Sequence, residues 1–352
     1  MFPLDFPSDI LKREARRVGA GIVLDPFCGR GTTIFASRLA GRDTVGIDCN
    51  EVAIAATAAK LVSPNPDDIV REAELILGCF RDAGSPSGEF WELAYSTKVL
   101  EQVCALRAAL LIDCTTPERL ALRAIILGAL HGPRRKEGSS YFSNQSPRTY
   151  APKPRYAVKF WKTRALQPPA VDVLGLIADR ARRFYSPRIP NVTGAAALAD
   201  SRNKSEFAQA MAGRRAWLVV SSPPYYGLDT YRADQWLRSW FLGAAPNVDY
   251  SRGNQISHRS GEKFAEDLSL VWRNVADHAL PDARLIIRFG GINERSHISP
   301  RDILTHSLAR SPWRVRTIRH AGSAVSGRQQ AQAFLKTKRT PVPEFDCYCA
   351  LS

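Results

Sequence analysis

The chain has 352 residues, 45% of them hydrophobic, and its formal net charge at pH 7 is +15. This length and composition allow a large buried core, so they exclude an intrinsically disordered chain and favour one enlarged domain or a core domain with an insertion. The strong positive charge favours an acidic partner.

Cysteine usage and the N-terminal sequence bear on the compartment. Seven cysteines lie at positions 28, 49, 79, 104, 114, 347 and 349, without a CxxC pair. Their odd number and scattered spacing favour a reducing compartment and argue against structural zinc. The N-terminus lacks the features of a signal or transit peptide, and no uncharged apolar run approaches the ~18 residues of a membrane span. We therefore expect a soluble cytoplasmic protein without a metal site or membrane contact.

The first predicted elements have the spacing of a βαβ unit. Residues 21–25 and 44–48 are short apolar runs typical of buried strands, and residues 32–40 between them have a helical pattern. An alanine-rich helix is predicted over 52–61, and the prolines that follow end it. The chain therefore begins as part of a parallel sheet.

Residues 70–190 have a different, mostly helical pattern. Apolar residues recur at steps of three and four between Leu93 and Leu110, and Thr116 followed by Pro117 predicts the start of another helix. This segment also holds most of the basic surplus, because residues 131–190 contain 13 Lys and Arg against 3 Asp and Glu. We predict that it is an insertion whose basic surface contacts phosphates.

The strand pattern resumes after the insertion. Strands are predicted over 195–200, 217–222, 284–290, 314–318 and 345–350, with a helix around 264–275. The predicted fold class is α/β, a doubly wound and mostly parallel seven-stranded sheet with an antiparallel C-terminal hairpin and a largely helical insertion.

A glycine-containing turn follows the first predicted strand, with the sequence Asp25-Pro26-Phe27-Cys28-Gly29-Arg30-Gly31-Thr32-Thr33. Gly29 and Gly31 permit positive φ and close approach of the backbone to a ligand, and the helix that starts near Thr32 offers N–H groups to a carboxylate. The chain lacks the glycine patterns of dinucleotide folds and of P-loops, which argues against NAD and nucleoside triphosphates. The turn therefore predicts a site for another nucleoside-containing cofactor.

Two further acidic residues end predicted strands at the same edge of the sheet. Asp48 is placed to accept hydrogen bonds from ribose hydroxyls, and Asp200 is a candidate partner of an adenine amine. Asp25, at the end of the first strand, is a candidate partner of a cofactor amino group.

The tetrapeptide Ser222-Pro223-Pro224-Tyr225 follows the strand over 217–222. An exocyclic amine on a base is a poor nucleophile, so two hydrogen-bond acceptors are needed to hold its N–H groups. The Ser222 oxygen can supply one and the Pro223 carbonyl the other, because Pro224 restricts Pro223 to extended geometry. The ring of Tyr225 is available to stack on the base.

The turn over 25–33 resembles motif I, and the tetrapeptide resembles motif IV, of the S-adenosylmethionine-dependent DNA amino-methyltransferases, which modify cytosine N4 or adenine N6. The resemblance covers residues 20–60 and 193–351. It implies methyl transfer from S-adenosylmethionine to the exocyclic amine of a flipped base. In that family a serine at the first position of motif IV usually accompanies cytosine-N4 methylation, whereas Asp or Asn usually accompanies adenine-N6 methylation.

The residue patterns and the resemblance together assign a role to each candidate residue. The catalytic set is Ser222, Pro223, Pro224 and Tyr225, and the cofactor-binding set is Asp25, Phe27, Cys28, Gly29, Gly31, Thr32, Asp48 and Asp200. The nucleic-acid-binding set is Arg134, Arg135, Lys136, Arg148, Lys153 and Arg155. The predicted organisation is a cofactor-binding half over 1–69, the basic insertion over 70–190 as a target-recognition region, and a catalytic half over 191–352.

Three alternatives remain open at the level of sequence. The first is adenine-N6 methylation of DNA. The second is methylation of an RNA base, because Phe27-Cys28-Gly29 is also similar to the cofactor motif of tRNA guanine-N2 methyltransferases. The third is a non-catalytic DNA-binding protein on the same fold. The expected partner is DNA, with RNA as the alternative, together with a restriction or defence system.

Overall fold

The computed structural model describes residues 2–15, 21–79, 84–132, 141–145, 153–226, 232–250, 256, 260–290, 299–323 and 343–351. The chain divides into two compact units. The first contains Met1–Leu61, Pro190–Thr230 and Gly253–Ser352, and the second contains Val62–Ile189 and Tyr231–Arg252. The helical insertion predicted from the sequence ended at residue 190, whereas the second unit also contains a later segment of the chain.

The strands all lie in the first unit and form one mixed sheet. They are β1 (Ile22–Asp25), β2 (Thr44–Asp48), β3 (Gly194–Leu198), β4 (Ala216–Ser221), β5 (Ala279–Phe289), β6 (Trp313–Ser323) and β7 (Pro343–Leu351). Their order in the sheet is β3-β2-β1-β4-β5-β7-β6. The neighbours from β3 to β5 are parallel, and β7 runs antiparallel to both β5 and β6. The predicted fold class, including the antiparallel C-terminal hairpin, is therefore confirmed.

The helices of the described residues are α1 (Asp5–Glu14), α2 (Thr32–Leu39), α3 (Glu51–Ala58), α4 (Pro66–Cys79), α5 (Glu89–Ala94), α6 (Thr97–Ile112), α7 (Pro117–Ala129), α8 (Pro154–Thr163), α9 (Val173–Tyr185), α10 (Lys204–Met211), α11 (Arg232–Phe241), α12 (Gly261–Asp277) and α13 (Pro300–Ala309). Helices α4 to α9 and α11 belong to the second unit, and the others belong to the first.

Both faces of the sheet are covered, which explains why its central strands are continuous apolar runs. Strands β1 and β4 are buried along their whole length. Because successive side chains point to opposite faces, Val23 packs with α1 and α2, whereas Leu24 packs in the larger cluster that includes α10, α12 and α13. The two cores thereby fix β1 and β4 at the centre of the sheet.

The sheet changes direction between β1 and β4. From β1 the chain continues to β2 and β3 on one side, and β4 pairs with the other side of β1, with Leu24 opposite Val219. Ligands of open α/β sheets bind in the crevice outside the carboxyl ends of the strands at such a point. The turns that follow Asp25 and Ser221 lie at this crevice.

The second unit is helical and contains a cluster of aromatic side chains. Phe90 and Trp91 of α5 pack edge-on against Trp236 of α11, with ring centroids 5.0 and 5.7 Å away. Helix α7 begins as its sequence predicted, because the Thr116 side chain accepts a hydrogen bond from the N–H of Arg119 at 3.3 Å. No helix within the described part of the chain has both the length and the apolar character needed to cross a membrane.

The structure differs from the prediction at some element boundaries. Strand β5 begins at Ala279 rather than at residue 284, with a register shift between Ala216 and Leu218 of its partner β4. The start of β5 was not predicted because the strand contains Pro281. Proline cannot donate a backbone hydrogen bond, so it argues against a central strand unless the strand pairing is irregular. Helices α1, α10 and α13 were also missed, since each has ten residues or fewer and a short apolar stripe.

Candidate active site

The turn after β1 depends on its two glycines. Gly29 has φ 51° and Gly31 has φ 72°, a region that side chains disfavour. A Cβ on Gly31 would also lie 2.7 Å from the Thr57 Oγ1 atom of α3, and the Thr57 hydroxyl donates to the Gly29 carbonyl oxygen at 3.0 Å. The turn is therefore held close to α3, and Gly31 leads directly into α2.

Asp48 at the end of β2 supports the same turn. Its Oδ2 accepts the N–H of Gly29 and its Oδ1 accepts the N–H of Asn50, each at 2.9 Å. Burial raises the pKa of this carboxyl, and the backbone hydrogen bonds offset part of that rise. The predicted ribose acceptor thus also fixes the conformation of the glycine turn.

The other residues of the predicted cofactor set differ in exposure. Phe27 and Thr32 are partly exposed, whereas Cys28 is buried. The Phe27 ring meets Trp272 of α12 edge-on at 6.2 Å between centroids. Cys28 Sγ lies 3.7 Å from Thr57 Oγ1 inside the turn, and burial raises the pKa of its thiol well above the ordinary value. Of these three residues, Phe27 and Thr32 are therefore the ones whose side chains remain accessible to a ligand.

The first signature contacts the end of strand β4, directly before the second signature. Ser221 Oγ donates to Asp25 Oδ1 at 2.6 Å, across 196 positions of sequence. Thr33 Oγ1 lies 3.2 Å from the carbonyl oxygen of Val220 and donates to it. These two hydrogen bonds join the glycine turn to strand β4, which directly precedes Ser222.

Asp25 is a buried carboxylate surrounded by neutral donors. It is only 2% exposed, and besides Ser221 it accepts the N–H of Phe27 at 3.1 Å. Its pKa is raised to about 6, because the upward effects of burial and, to a smaller extent, of the nearby Asp48 exceed the downward effect of the hydrogen bonds from Ser221, Thr33 and Phe27. Because none of these partners is a cation, the carboxylate keeps its charge at neutral pH without a countercharge from these groups.

The Ser222 to Tyr225 turn is partly accessible. Ser222 and Pro224 are half-buried, and Pro223 is buried. Tyr225 is 6% exposed, its hydroxyl donates to Glu344 at the start of β7, and its ring packs edge-on against Phe289 with centroids 5.8 Å apart. The sequence assigned this ring to stacking on a base, and in the structure most of its surface packs against the protein.

Asp200 follows β3 and has a cationic partner. The Arg202 side chain donates to both of its carboxylate oxygens, with Nε 2.9 Å from Oδ1 and Nη2 2.7 Å from Oδ2. Arg202 also pairs with Asp267 of α12 at 3.2 Å. Burial raises the Asp200 pKa, but the Arg202 hydrogen bonds and charge outweigh it and leave the pKa below its ordinary value. The residue predicted to face an adenine amine is already neutralised by arginine.

The predicted nucleic-acid-binding residues are only partly described. Arg134, Arg135, Lys136 and Arg148 lie outside the described residues. Lys153 and Arg155 lie at the start of α8 and are exposed, and Lys153 Nζ is 3.6 Å from Asp234 Oδ1 in the same unit. Within the described part of the chain, no group of three or more His, Cys, Asp or Glu is arranged to hold a metal ion.

Sequence reasoning missed several residues that shape this site. Ser221 precedes the recognised tetrapeptide, and Thr57 and Glu344 act across long stretches of chain. Arg202 carried a local signal, because a basic residue two positions after a strand-ending aspartate can fold back onto it. The contacts of Ser221, Thr57 and Glu344 had no such local signal in the sequence.

The comparisons with known proteins fall on the N-terminal segment. Residues 1–60 match the N6/N4 methyltransferase family described as DNA methylase. A curated relative, the Type II methyltransferase M.ScaI of Streptomyces caespitosus, is 43% identical over 51 residues, which are 14% of this chain and 17% of that protein. The match therefore spans less than a fifth of the relative's length.

Two solved structures show weak overall similarity. The rRNA methyltransferase aviRa from Streptomyces viridochromogenes is 11% identical with a TM-score of 0.36, covering 99% of this chain and 85% of that one. A protein solved in work on the conversion of a disulfide bond into a thioacetal group during echinomycin biosynthesis is 9% identical with a TM-score of 0.33, covering 98% and 81%. At these values neither similarity bears on the chemistry of the site.

Proposed function

We propose that this chain, whose residues 1–60 match the N6/N4 methyltransferase family, belongs to that family and transfers a methyl group from S-adenosylmethionine to the exocyclic amine of a DNA base. The observation that carries the proposal is the hydrogen bond of 2.6 Å from Ser221 Oγ to Asp25 Oδ1, which joins the start of the first signature to the residue directly before the second. A methyl donor on the glycine turn and a base at Ser222 would be neighbours at one edge of the sheet.

The residues of the turn fit the donor. The amino group of S-adenosylmethionine is a cation, and Asp25 is a carboxylate whose hydrogen-bond partners are neutral. The donor's carboxylate fits the N-terminus of α2, where the first N–H groups of a helix have no intrahelical partner. A Cβ on Gly29 would meet open space apart from the Phe27 carbonyl oxygen at 4.0 Å, so the backbone there is approachable. When bound, the donor supplies an electrophilic methyl group on sulfonium sulfur.

The acceptors of the tetrapeptide fit an exocyclic amine. The half-buried Ser222 offers its hydroxyl oxygen and Pro223 its carbonyl oxygen. Two acceptors favour the amine geometry in which the nitrogen lone pair is free to attack, and holding nitrogen and methyl carbon in line supplies much of the rate. A base paired in a duplex must leave the stack to reach such a site. Serine at position 222, by resemblance, favours cytosine N4 over adenine N6.

The insertion supports DNA as the substrate. Exposed Lys153 and Arg155 belong to the segment with the largest basic surplus, and they are proposed to contact phosphates with Arg134, Arg135, Lys136 and Arg148. The similarity to a Type II methyltransferase also supports the proposal that the modification protects DNA from a cognate nuclease.

Tritiated methyl transfer to duplex DNA and to structured RNA tests the proposal, with Ser222→Ala as the matched variant. We expect transfer to DNA, and a fall in the rate of about 100-fold or more in the variant, the size seen when one preorganised polar contact to a reacting group is removed. Binding of S-adenosylhomocysteine to the variant should stay within about twofold of wild type, because Ser222 lies beyond the donor site. Transfer to RNA alone, or full activity of Ser222→Ala, would overturn the proposal.

A further inference from the structure

Ser221 stands between the donor site and the target site, and neither signature includes it. It is the last residue of β4, is fully buried, and is followed directly by Ser222. Its hydroxyl donates to Asp25 Oδ1 at 2.6 Å and so joins the end of β4 to the end of β1. The buried Ser221 hydroxyl therefore has a specific acceptor, the Asp25 carboxylate, and does more than fill space in the core.

The surroundings of Asp25 make this hydroxyl important. The other donors are the Phe27 N–H at 3.1 Å and the Thr33 hydroxyl. Thr33 also serves the Val220 carbonyl oxygen at 3.2 Å, and one hydroxyl proton serves one acceptor at a time. The titratable groups that face the carboxylate are Asp48 from β2 and Cys28 from the turn, and both are acids. Among the described residues around Asp25, Ser221 is therefore the one whose hydroxyl is committed to this carboxylate.

We propose that Ser221 is a positioning residue that holds the Asp25 carboxylate in place for the ammonium group of the methyl donor. The inference rests on the proposed function, since it takes S-adenosylmethionine as the ligand of the turn. Ser221 acts through Asp25 and touches neither donor nor base. Through Ser221, strand β4, which leads into the target-base turn, therefore affects how tightly the donor binds.

The effect of the Ser221 hydroxyl on the Asp25 pKa can be measured. Donor hydrogen bonds favour the charged form of a carboxylate, and burial disfavours it. In the wild-type chain these effects leave the Asp25 pKa at about 6, so the carboxylate is ionised at pH 8 and largely protonated at pH 5. Loss of the Ser221 hydroxyl removes a lowering contribution, so the pKa rises and the loss of donor affinity on acidification begins at higher pH.

The matched control is Ser201. It is also buried, and its hydroxyl donates at 2.7 Å to the carbonyl oxygen of Pro26, the residue after Asp25. Ser201→Ala therefore removes a buried hydroxyl that contacts the same turn, without removing a hydrogen bond to the Asp25 carboxylate. A general loosening of the turn would affect both variants alike, whereas a role through Asp25 affects only Ser221→Ala.

The experiment is calorimetric titration with S-adenosylhomocysteine from pH 5 to pH 8, on wild type, Ser221→Ala and Ser201→Ala. We expect affinity to fall below about pH 6 in wild type and Ser201→Ala, and the fall to begin about one pH unit higher in Ser221→Ala, the size expected for one hydrogen bond to a charged group. A Ser221→Ala profile that coincides with wild type, or an equal displacement in Ser201→Ala, would overturn the inference.

A second measurement keeps the inference separate from the proposed function. Carbon NMR of the aspartate carboxyl groups in the ligand-free protein, assigned with Asp25→Asn, follows the Asp25 titration directly. If S-adenosylhomocysteine fails to bind wild type at any pH, the proposed function fails, and the NMR titration still tests Ser221. Should Ser221→Ala fail to fold, Ser221→Cys replaces it, because a thiol is a weaker donor of similar shape and should give a smaller upward displacement. No displacement with Cys contradicts the inference.

Discussion

The ends of β1 and β3 each carry an aspartate at the same edge of the sheet, and the two carboxylates have opposite electrostatic surroundings. Asp25 is held by neutral donors, and its pKa is raised to about 6 by burial. Asp200 is clasped by Arg202, and its pKa is lowered. Sequence analysis predicted the same kind of role for both residues, as partners of an amine of the cofactor.

The difference separates a carboxylate ready for a cation from one already neutralised. A buried anion without a countercharge is costly, so it gains the most when a cationic ligand arrives. An anion in a bidentate pair with arginine gains little, because the pair is already satisfied. Asp25 is therefore the stronger candidate for the ammonium group of the donor, and Asp200 is the stronger candidate for holding α10 and α12 near the site.

The largest expected effect is that of Asp25→Asn on the free energy of unfolding of the ligand-free protein. The folded pKa of Asp25 is about 6 against an ordinary value of 3.8, so its protonated form is favoured in the folded state. The stability linked to this group is fully present below about pH 4 and is lost as pH rises through about 6, a difference of about 3 kcal/mol at most. Relative to wild type, Asp25→Asn should gain stability between pH 4 and pH 8.

Asp200→Asn is expected to show the opposite dependence of stability on pH. The folded pKa of Asp200 is lowered, so its contribution is present above the ordinary value and is lost as pH falls through the folded pKa. Wild type should therefore exceed Asp200→Asn in stability at neutral pH, and the gap should close in acid. Denaturant unfolding across this pH range measures both, and equal pH dependence of the two variants would remove the distinction between the carboxylates.

The next effect concerns the donor. Asp25→Asn removes the charge that faces the ammonium group, and we expect S-adenosylhomocysteine affinity at pH 8 to fall by about 10-fold to 100-fold, as for a lost charge-assisted hydrogen bond. Asp200→Asn should lower it by less than about threefold, because its carboxylate is held by Arg202. Calorimetry on both variants checks the order, and a larger loss in Asp200→Asn would reverse the assignment.

Much of the fold followed from local patterns. Apolar runs predicted the seven strands, because central strands of a sheet covered on both faces are apolar throughout. An aspartate or the Ser-Pro-Pro turn marked the end of four of them. The hidden start of β5 and the short helices α1, α10 and α13 did not follow, because proline, short length and few apolar positions leave little periodicity to detect.

The parts of the site that consist of consecutive residues could be predicted from the sequence. The glycine turn and the Ser222 to Tyr225 turn were found because each is a continuous string. The contacts that tune them join residues far apart in the chain, as with Ser221 and Asp25 or Tyr225 and Glu344. Such contacts depend on the register of β1, β4 and β7 in the folded sheet, which local sequence does not specify.

The most direct test of the account is mass spectrometry of nucleosides from duplex DNA incubated with the protein and S-adenosylmethionine that carries a deuterated methyl group. The account predicts a labelled methyl group on the exocyclic amine of cytosine, and its loss in Ser222→Ala. Label on the amine of adenine would correct the base while keeping the site. Label on a ring carbon, or none in DNA while the protein binds the donor, would contradict the claim that the two turns form one methyl-transfer site.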